Sequence, residues 1–431
     1  MDDDYLLDKS MGRSAMPKAY WRILPLICLA YLFAYMDRVN VSFASVQMNV
    51  DLKFSATIYG LGGGLFFLGY SLFEVPSNLL LVRFGARHWL ARIMITWGLL
   101  AASMMFVRTP TQFYVMRFLL GTAEAGFFPG VIYYFSGWFP MEFRGRAVSL
   151  FYVAAPLAAV VMGGISGSLL DLNGFANLRG WQWLFLVQGL PSVLAGLLIV
   201  RFLPDAPGTA KWLSVPERLW IQGTLAEEAA CIGEPTDYNL LAAVRNPRVL
   251  MLGVVAFLLL GATTTFVLSA PAVLMAGTGF DTKHVGYLVS AGGMIGAIAM
   301  LALGWYSDRH GDRLLIAFTC SIILASAFLT IGFSSSPVIV AVAYLFFAAI
   351  CFSTAMLLAS SWADILHVRQ LAVGAAAINT MGNVGAFLMP YSWGVAKDAT
   401  GSYQTGLMAL TIAMVLLAAL ILLLRGRVRN P

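Results

Sequence analysis

The sequence predicts an all-α integral membrane protein with twelve transmembrane helices in two pseudo-symmetric six-helix halves. Its composition is 60% hydrophobic and 11% charged, whereas soluble domains are about 45–50% apolar and about 25% charged. Apolar runs long enough to cross a bilayer recur along the chain, and the two groups of runs share a pattern of glycine and arginine. Composition, run length and internal repeat therefore indicate the same fold class.

Twelve apolar runs reach the length of about 20 residues that a membrane-crossing helix needs. They lie at residues 20–43, 56–82, 89–107, 111–137, 145–168, 181–203, 247–274, 283–306, 313–333, 337–361, 369–396 and 402–424. The organisation that follows is an N-terminal tail (1–19), a first six-helix half (20–203), a polar linker (204–246), a second six-helix half (247–424) and a C-terminal tail (425–431).

Positive charge is distributed unevenly between the two sides of the predicted membrane. Of the 27 Lys and Arg residues, 20 fall in segments on the side of both termini and 5 on the opposite side. Cytoplasmic segments of membrane proteins are enriched in Lys and Arg, so we expect both termini in the cytoplasm and lipid around the spans. The net charge of +6 does not predict nucleic-acid binding, because the basic residues are dispersed among apolar runs.

The two halves repeat at a constant offset of 226 residues. The matching positions are Gly60, Arg83, Gly85, Arg87 and Ala91 in the first half and Gly286, Arg309, Gly311, Arg313 and Ala317 in the second. These identities bracket the turn between spans 2 and 3 and the turn between spans 8 and 9. Parallel repeats of this kind enclose a site near the bilayer midplane, so we expect one between the halves.

The linker between the halves carries one local signal. Ser214 followed by Glu217 is a capping-box pattern, which predicts a short helix from about residue 215 to about residue 230. Its mixed charge, with Glu227 and Glu228 near the end of the predicted helix, is typical of a solvated surface.

Glycines cluster in the stretch YGLGGGLFFLG, which begins at Tyr59. A nucleotide-binding loop would need a preceding strand and an acidic ribose partner, and the sequence predicts neither. Gly60 and Gly64 are one helical turn apart, as are Gly292 and Gly296 in the second half. Small residues at this spacing predict close packing between membrane helices.

Charged residues lie inside two of the predicted spans: Asp37 and Arg38 in the first, and Arg117 and Glu124 in the fourth. A single charge at the bilayer centre costs at least about 2.5–3.5 kcal/mol. Arg117 and Glu124 are seven residues apart, two helical turns, so both point from one face. The sequence therefore predicts a polar cavity lined by these four residues.

The sequence predicts neither a metal site, nor a cofactor, nor an enzyme. The four cysteines are scattered without a CxxC motif, and the four histidines fall near the ends of apolar runs. No nucleophile and base or metal-ligand set lies inside the spans. The linker is also too short for the soluble domain of a sensor.

Six sequence stretches resemble motifs of a known family. The turn GWYSDRHGDR, from Gly304 to Arg313, resembles the signature of the major facilitator superfamily between spans 2 and 3 and between spans 8 and 9. MDRVNVSFA, FEVPSNLLLVRFGAR, RFLLGTAEAGFFPG and WFPMEFRGRA are similar to its anion:cation symporter family, and NTMGNVGAFLMP matches less distinctively. The resemblance implies the major facilitator fold, a bacterial inner membrane and an organic anion as substrate, because bacterial members take up sugar acids, tartrate-like dicarboxylates, phthalate and aromatic carboxylates.

The resemblance also implies a charged gate at the cytoplasmic turn of the second half. Its residues are Asp308, Arg309 and Arg313. The first half has Val82 where the second has Asp308, so the gate is carried over only to the second copy.

Arg38 is the residue that we expect to bind the substrate carboxylate, because its planar guanidinium matches that group. Tyr35 shares its helix face, and Tyr70 corresponds to a polar aromatic position that faces the site in relatives. Arg117 is a further candidate substrate ligand. The alternative is that the Arg38 side chain extends to the membrane–water interface and does not bind the substrate.

Asp37 and Glu124 are the predicted proton-coupling residues. By resemblance to proton-coupled relatives, Glu124 senses proton and substrate occupancy while Arg117 pairs with it. The alternative is a permanent, purely structural Arg117–Glu124 ion pair. Glu74 is either a third coupling group or a hydrogen-bonding partner between helices.

The second half offers neutral polar residues as candidate ligands. Asn379 and Asn383 are one turn apart on span 11, and Ser360 lies near the end of span 10. We expect these three side chains to recognise the uncharged part of the substrate.

The function that these observations predict is proton-coupled uptake of a small organic carboxylate by alternating access. The substrate is a sugar acid, a hydroxy-dicarboxylate or an aromatic acid, with the proton as coupling ion and the protein acting as a monomer. Sodium coupling stays open. The alternative function is export or drug efflux within the same superfamily, which the two intramembrane arginines disfavour because many such pumps carry lipophilic cations.

Overall fold

The computed structural model describes residues 2–232, 246–366 and 368–429, and these form fourteen α-helices joined by short turns. They are α1 (Asp2–Asp51), α2 (Ala56–Phe84), α3 (Ala86–Ser103), α4 (Pro110–Glu124), α5 (Phe127–Ser136), α6 (Met141–Leu170), α7 (Gly180–Phe202), α8 (Val215–Ile232), α9 (Pro247–Thr278), α10 (Thr282–His310), α11 (Arg313–Phe333), α12 (Pro337–Ile365), α13 (Val368–Thr400) and α14 (Gln404–Arg429). Single 3₁₀ turns occupy Met104–Phe106, Phe175–Asn177 and Pro207–Thr209.

The predicted spans correspond to these helices. Within the described residues, 11 segments are long and apolar enough to cross a membrane, and α4 and α5 together form one of them. The twelfth span is α13, whose 33 residues exceed the length that a crossing needs. Its asparagines and glycines make it less apolar, and it packs between α2 and α9 instead of facing lipid along its length. The all-α membrane fold with twelve spans is confirmed.

Because each span reverses the direction of the chain, the bundle has two distinct ends. The terminal end holds the start of α1, the end of α14 and the helix α8. The far end holds the turns around residues 52–55, 171–179 and 401–403.

The halves pack against each other through glycines near the far end. α2 meets α13 where Gly60 touches the Pro390 carbonyl, and a Cβ atom on Gly60 would overlap that oxygen. α6 meets α10 in the same way at Gly163 and Gly286. Close helix packing explains the glycine spacing, as the sequence predicted.

The fourth span is broken, although the sequence predicted one continuous run over 111–137. α4 ends at Glu124, and α5 begins at Phe127. Gly126 has φ +85°, a left-handed conformation that favours glycine. A Cβ atom there would also overlap the Ser77 hydroxyl on α2. The break places Glu124 at a helix end in the interior of the first half.

The linker helix docks on the terminal end of the first half. Ser214 and Glu217 make both hydrogen bonds of the predicted capping box, and α8 (Val215–Ile232) occupies the predicted position. The Glu217 carboxylate also accepts hydrogen bonds of 2.6 Å from Lys18 and from Ser14 of α1.

Part of the predicted linker (204–246), namely residues 233–245, lies outside the described residues, as do the last two residues of the C-terminal tail (425–431). The boundaries assigned to the two tails, the two halves and the linker stay predictions.

Candidate functional site

The four intramembrane charges meet between α1 and α4, and they pair in a crossed pattern. The Arg38 Nη2 atom lies 2.8 Å from the Glu124 Oε1 atom, and the Arg117 Nη1 atom lies 3.9 Å from the Asp37 Oδ2 atom. The predicted pairing of Arg117 with Glu124 is therefore wrong for this conformation. Neighbouring residues on a helix point about 100° apart, so Asp37 and Arg38 face different partners on α4.

Burial distinguishes the two pairs. Asp37, Arg117 and Glu124 are each 1–2% exposed, whereas the Arg38 side chain is 27% exposed. Arg38 is thus the charge of this cluster that a solute can reach. The longer Arg117–Asp37 pair lies behind it, and its atoms Asp37 Oδ2 and Arg117 Nε make no hydrogen bond to the described protein.

One aromatic ring, that of Phe66, lies next to both arginines. The Phe66 ring centroid lies 4.9 Å from the Arg117 guanidinium carbon and 5.7 Å from that of Arg38. Close approach of α2 and α4 produces this geometry, because Gly121 packs directly on the Phe66 carbonyl. A cation over an aromatic face gains about 0.5–1 kcal/mol at an exposed site and about 2 kcal/mol or more when it is desolvated.

A second set of rings lies close to Arg38. Its guanidinium carbon is 4.8 Å from the Tyr35 ring centroid and 6.0 Å from that of Phe67. The Tyr35 ring in turn lies 6.1 Å from the ring of Phe352 on α12. Tyr70 is buried next to Phe66, with 6.4 Å between the ring centroids. The structure therefore brings Tyr35 and Tyr70 together with Arg38, as we expected.

Sequence reasoning missed Phe66, Phe67 and Phe352. Each lies in an apolar run and carries no charge. Phe66 could have been found, because it is four residues before Tyr70 and so shares its helix face. Nothing in the sequence indicates that Phe352 of the second half reaches Tyr35 of the first.

Asn379 joins the two halves. Its amide nitrogen donates to both carboxylate oxygens of Glu74 on α2, at 3.0 and 3.2 Å. Of the two alternatives for Glu74, the hydrogen bond between helices is present. Asn379 therefore lies between the halves in this conformation, and its role as a substrate ligand stays a prediction.

Asn383 occupies the next turn of α13 and is 5% exposed. α2 and α13 run antiparallel, with Asn379 at the level of Glu74 and Phe387 at the level of Gly64. This register places Asn383 at the level of Tyr70. Its amide nitrogen makes no hydrogen bond within the described protein, so it is a buried donor available to a ligand.

Ser360 does not share this location. Its hydroxyl donates to the Leu357 carbonyl of its own helix, and its own carbonyl accepts from Arg313 at 3.4 Å. In this conformation the last turn of α12 places Ser360 at the turn between α10 and α11, and its role as a substrate ligand stays a prediction.

The predicted gate residues lie together at the terminal end. Arg313 Nη2 is 3.4 Å from Asp308 Oδ1, and Arg309 stacks on the Trp305 ring at 5.5 Å. Asp312 also pairs with Arg425 of α14 at 2.8 Å, a contact that the sequence did not predict. Gating by these residues stays a prediction.

In the first half, where Val82 replaces the gate aspartate, Arg87 bonds to Asp205 beyond α7 at 3.2 Å. The altered first copy of the gate turn thus takes its acidic partner from the start of the linker.

Comparison with known proteins shows the family. The profile described as "Major Facilitator Superfamily" matches residues 27–390. A protein of Agrobacterium vitis named "Putative tartrate transporter" is 38% identical over 99% of this chain and 94% of its own. The "Quinolone resistance transporter" of Acinetobacter baumannii is 38% identical over 91% of each chain.

Solved structures show the same fold. The inward-open conformation of the xylose transporter XylE from E. coli superposes with a TM-score of 0.76 at 14% identity, covering 93% of this chain and 95% of that chain. The protein is therefore an integral membrane transporter of a small molecule, and not an enzyme. It belongs to the Major Facilitator Superfamily.

Proposed function

We propose that the protein takes up a small organic carboxylate together with protons across a bacterial inner membrane, with the terminal end in the cytoplasm. The observation that carries this proposal is the Arg38–Glu124 pair. It combines a solute-accessible arginine with a buried carboxylate, 2.8 Å apart, inside membrane-spanning helices. A carboxylate substrate and Glu124 then compete for one guanidinium.

This competition couples the substrate to a proton. When a substrate carboxylate binds Arg38, Glu124 loses its partner while it is still buried. A buried, unpaired carboxylate is costly, so binding a proton at Glu124 becomes favourable. When the substrate leaves, Glu124 releases the proton and pairs with Arg38 again. Coupling of this kind is reciprocal, so a proton at Glu124 also favours substrate binding.

Asp37 is the second proposed proton-coupling residue. Its pair with Arg117 is 3.9 Å long, beyond hydrogen-bond distance, and it lies deeper than Arg38. Two protons with one monoanion would move one net positive charge inward. The membrane potential then contributes about 2.3 kcal/mol per 100 mV to uptake.

The relatives support the substrate class at a coarse level. Tartrate, in the name of the Agrobacterium vitis relative, is an organic acid anion. Arg38 presents the fork of donors that a carboxylate accepts.

The experiment is a thermal-shift screen of the purified protein with carboxylates at low and neutral pH. Ligands raise the melting temperature by mass action. We expect stabilisation by at least one organic carboxylate, and we expect Arg38→Ala to lose it. Arg108→Ala is the matched control, because Arg108 is exposed at the far end and bonds to the carbonyls of its own turn.

Export is the second candidate function, and the name of the Acinetobacter baumannii relative supports it. Stabilisation by cationic or neutral drugs, with none by any organic anion, would contradict carboxylate uptake and favour export.

A further inference from the structure

We infer that the carboxylate which Arg38 binds is a monocarboxylate with an aromatic or similarly flat apolar body. This inference rests on the proposed function and selects one of the substrate classes that the sequence left open. Three features support it. They are the number of accessible cations, the aromatic rings around Arg38, and the small number of second-half side chains whose hydrogen-bonding groups are free to bind a substrate.

The site presents one accessible cation. The Arg38 side chain is 27% exposed, whereas Arg117 is 2% exposed and faces Asp37. In the described helices, the residues that line the neighbouring cavity include neither lysine nor arginine. One turn beyond Tyr70, Glu74 adds a carboxylate that would repel a second anionic group. The charge balance fits a substrate with one carboxylate.

The surroundings of that cation are aromatic on both halves of the protein. Tyr35 lies between the Arg38 guanidinium, at 4.8 Å, and the Phe352 ring, at 6.1 Å. Phe67 approaches Arg38 from α2 at 6.0 Å. A carboxylate held by Arg38 therefore extends its body along ring faces and edges, where an aromatic group gains favourable contacts.

A cavity of about 60 Å³ continues from Phe352 between the two halves. Its walls are mostly apolar side chains, among them Val39, Phe43, Phe347 and Phe352, together with the ring of Tyr344. Its one serine, Ser42, donates its hydroxyl proton to the Val39 carbonyl. Apolar walls favour an apolar occupant, because a hydroxyl-bearing group there would lose its hydrogen bonds to water.

Three threonine hydroxyls of the second half already have partners. Thr263, Thr265 and Thr354 each donate to a carbonyl one turn earlier in their own helix. On α6, the centre of the span from Val153 to Ile165 has no hydrogen-bonding side chain. A polyhydroxylated acid needs several such partners, and each hydrogen bond that it loses to water without replacing it in the site weakens binding. The unpartnered Asn383 amide leaves room for about one polar substituent.

The test compares benzoate, gluconate, L-tartrate and benzamide in a thermal-shift assay of the purified full-length protein at one concentration. We expect benzoate to raise the melting temperature, because it combines a single carboxylate with a ring. Gluconate, tartrate and the uncharged benzamide should raise it less or not at all. Stabilisation by gluconate or tartrate without stabilisation by benzoate would overturn this inference and leave the proposed function standing. Stabilisation by no carboxylate would overturn the proposed function itself.

A variant tests the ring wall directly. Phe352→Ala should weaken benzoate binding roughly threefold to tenfold, the range of aromatic pair contributions, with the fold retained. Phe346→Ala is the matched control on the same helix, because Phe346 is 57% exposed on the outer surface. Unchanged benzoate affinity in Phe352→Ala, measured by titration calorimetry, would overturn the aromatic wall.

Discussion

Single residues decide how the charged site works, and the sequence locates most of them. Charges inside apolar runs are costly, so Asp37, Arg38, Arg117 and Glu124 could be found without a structure. Their partners could not be found, because pairing depends on how α1 is rotated against α4. The crossed pairs, with Arg38 bound to Glu124, are the result of that rotation.

The hydrogen bond from Asn379 to Glu74 leads to a prediction at the same scale. Glu74→Ala should lower the melting temperature by an amount equivalent to about 1 kcal/mol, because it leaves the half-buried Asn379 amide without its acceptor. Glu74→Gln should lower it less, since the new side-chain carbonyl still accepts. Leu72→Ala, at a lipid-facing position that is 58% exposed, serves as the control. Equal melting temperatures for Glu74→Ala and Glu74→Gln would contradict this role.

At the scale of elements, the sequence predicted the start of the linker helix α8, but it did not predict the break between α4 and α5. The capping box of α8 is a local pattern of four residues, so the sequence was enough to predict it. The break between α4 and α5 is set by the left-handed Gly126 and by its contact with Ser77 on another helix. The contact between Gly126 and Ser77 joins two helices, and such a tertiary contact cannot be predicted from an apolar run in the sequence.

Substitution at the break should disturb both stability and the site. Gly126→Ala places a Cβ atom in a left-handed conformation and against the Ser77 hydroxyl, at a cost of about 1–2 kcal/mol or more. We expect a lower melting temperature and weaker substrate binding, because Glu124 ends the preceding helix. Gly137→Ala is the control, since Gly137 has φ −87° and an added Cβ meets only an ordinary contact at 3.6 Å. A Gly126→Ala protein as stable as Gly137→Ala would show that the break is not required.

Docking of α8 gives a pH-dependent prediction. Burial acts to raise the pKa of the Glu217 carboxyl, but hydrogen bonds from Lys18, Ser14 and Ser214 outweigh it and lower the pKa to about 2. A carboxyl with a lowered pKa stabilises the folded state above its ordinary pKa of 4.5, and this contribution is lost as the pH falls toward 2. Glu217→Gln should therefore melt at a lower temperature than the wild type at pH 7, and the difference should shrink below about pH 4.

The control for that prediction is Glu227→Gln on the exposed side of the same helix. A difference between Glu217→Gln and the wild type that stays constant from pH 7 to pH 3 would contradict the assigned contacts.

The whole molecule is closed at its far end. There the Asp398 carboxylate of α13 accepts hydrogen bonds from the first backbone amides of α2, from Ala56 at 3.0 Å and from Thr57 at 2.8 Å. These amides have no partner within their own helix, and a carboxylate also suits the positive end of the helix dipole. Lys283 and Asp171 pair across the halves nearby. Composition predicted the twelve spans, but the conformational state depends on such contacts and was not predictable.

Removal of this contact should open the far end. Phe175 and Tyr287 are exposed positions on opposite halves, and each can carry a spin label. In Asp398→Ala the two labels should show a larger population at long distance than in the labelled protein that keeps Asp398. Asp281→Ala is the matched control, because Asp281 caps its own helix by accepting from His284 and does not join the halves. Identical distance distributions in Asp398→Ala and Asp281→Ala would show that Asp398 does not hold the halves together.

Proton coupling through Glu124 is the central claim for the molecule as a whole, and pH-driven accumulation in proteoliposomes tests it most directly. The substrate is a radiolabelled carboxylate identified by thermal shift, with protein-free liposomes measured in parallel to subtract passive permeation. The wild type should concentrate the substrate when the outside is more acidic. Glu124→Gln should keep substrate exchange but lose this accumulation, because glutamine cannot bind and release the proton. Uphill accumulation by Glu124→Gln at the wild-type level would contradict the account.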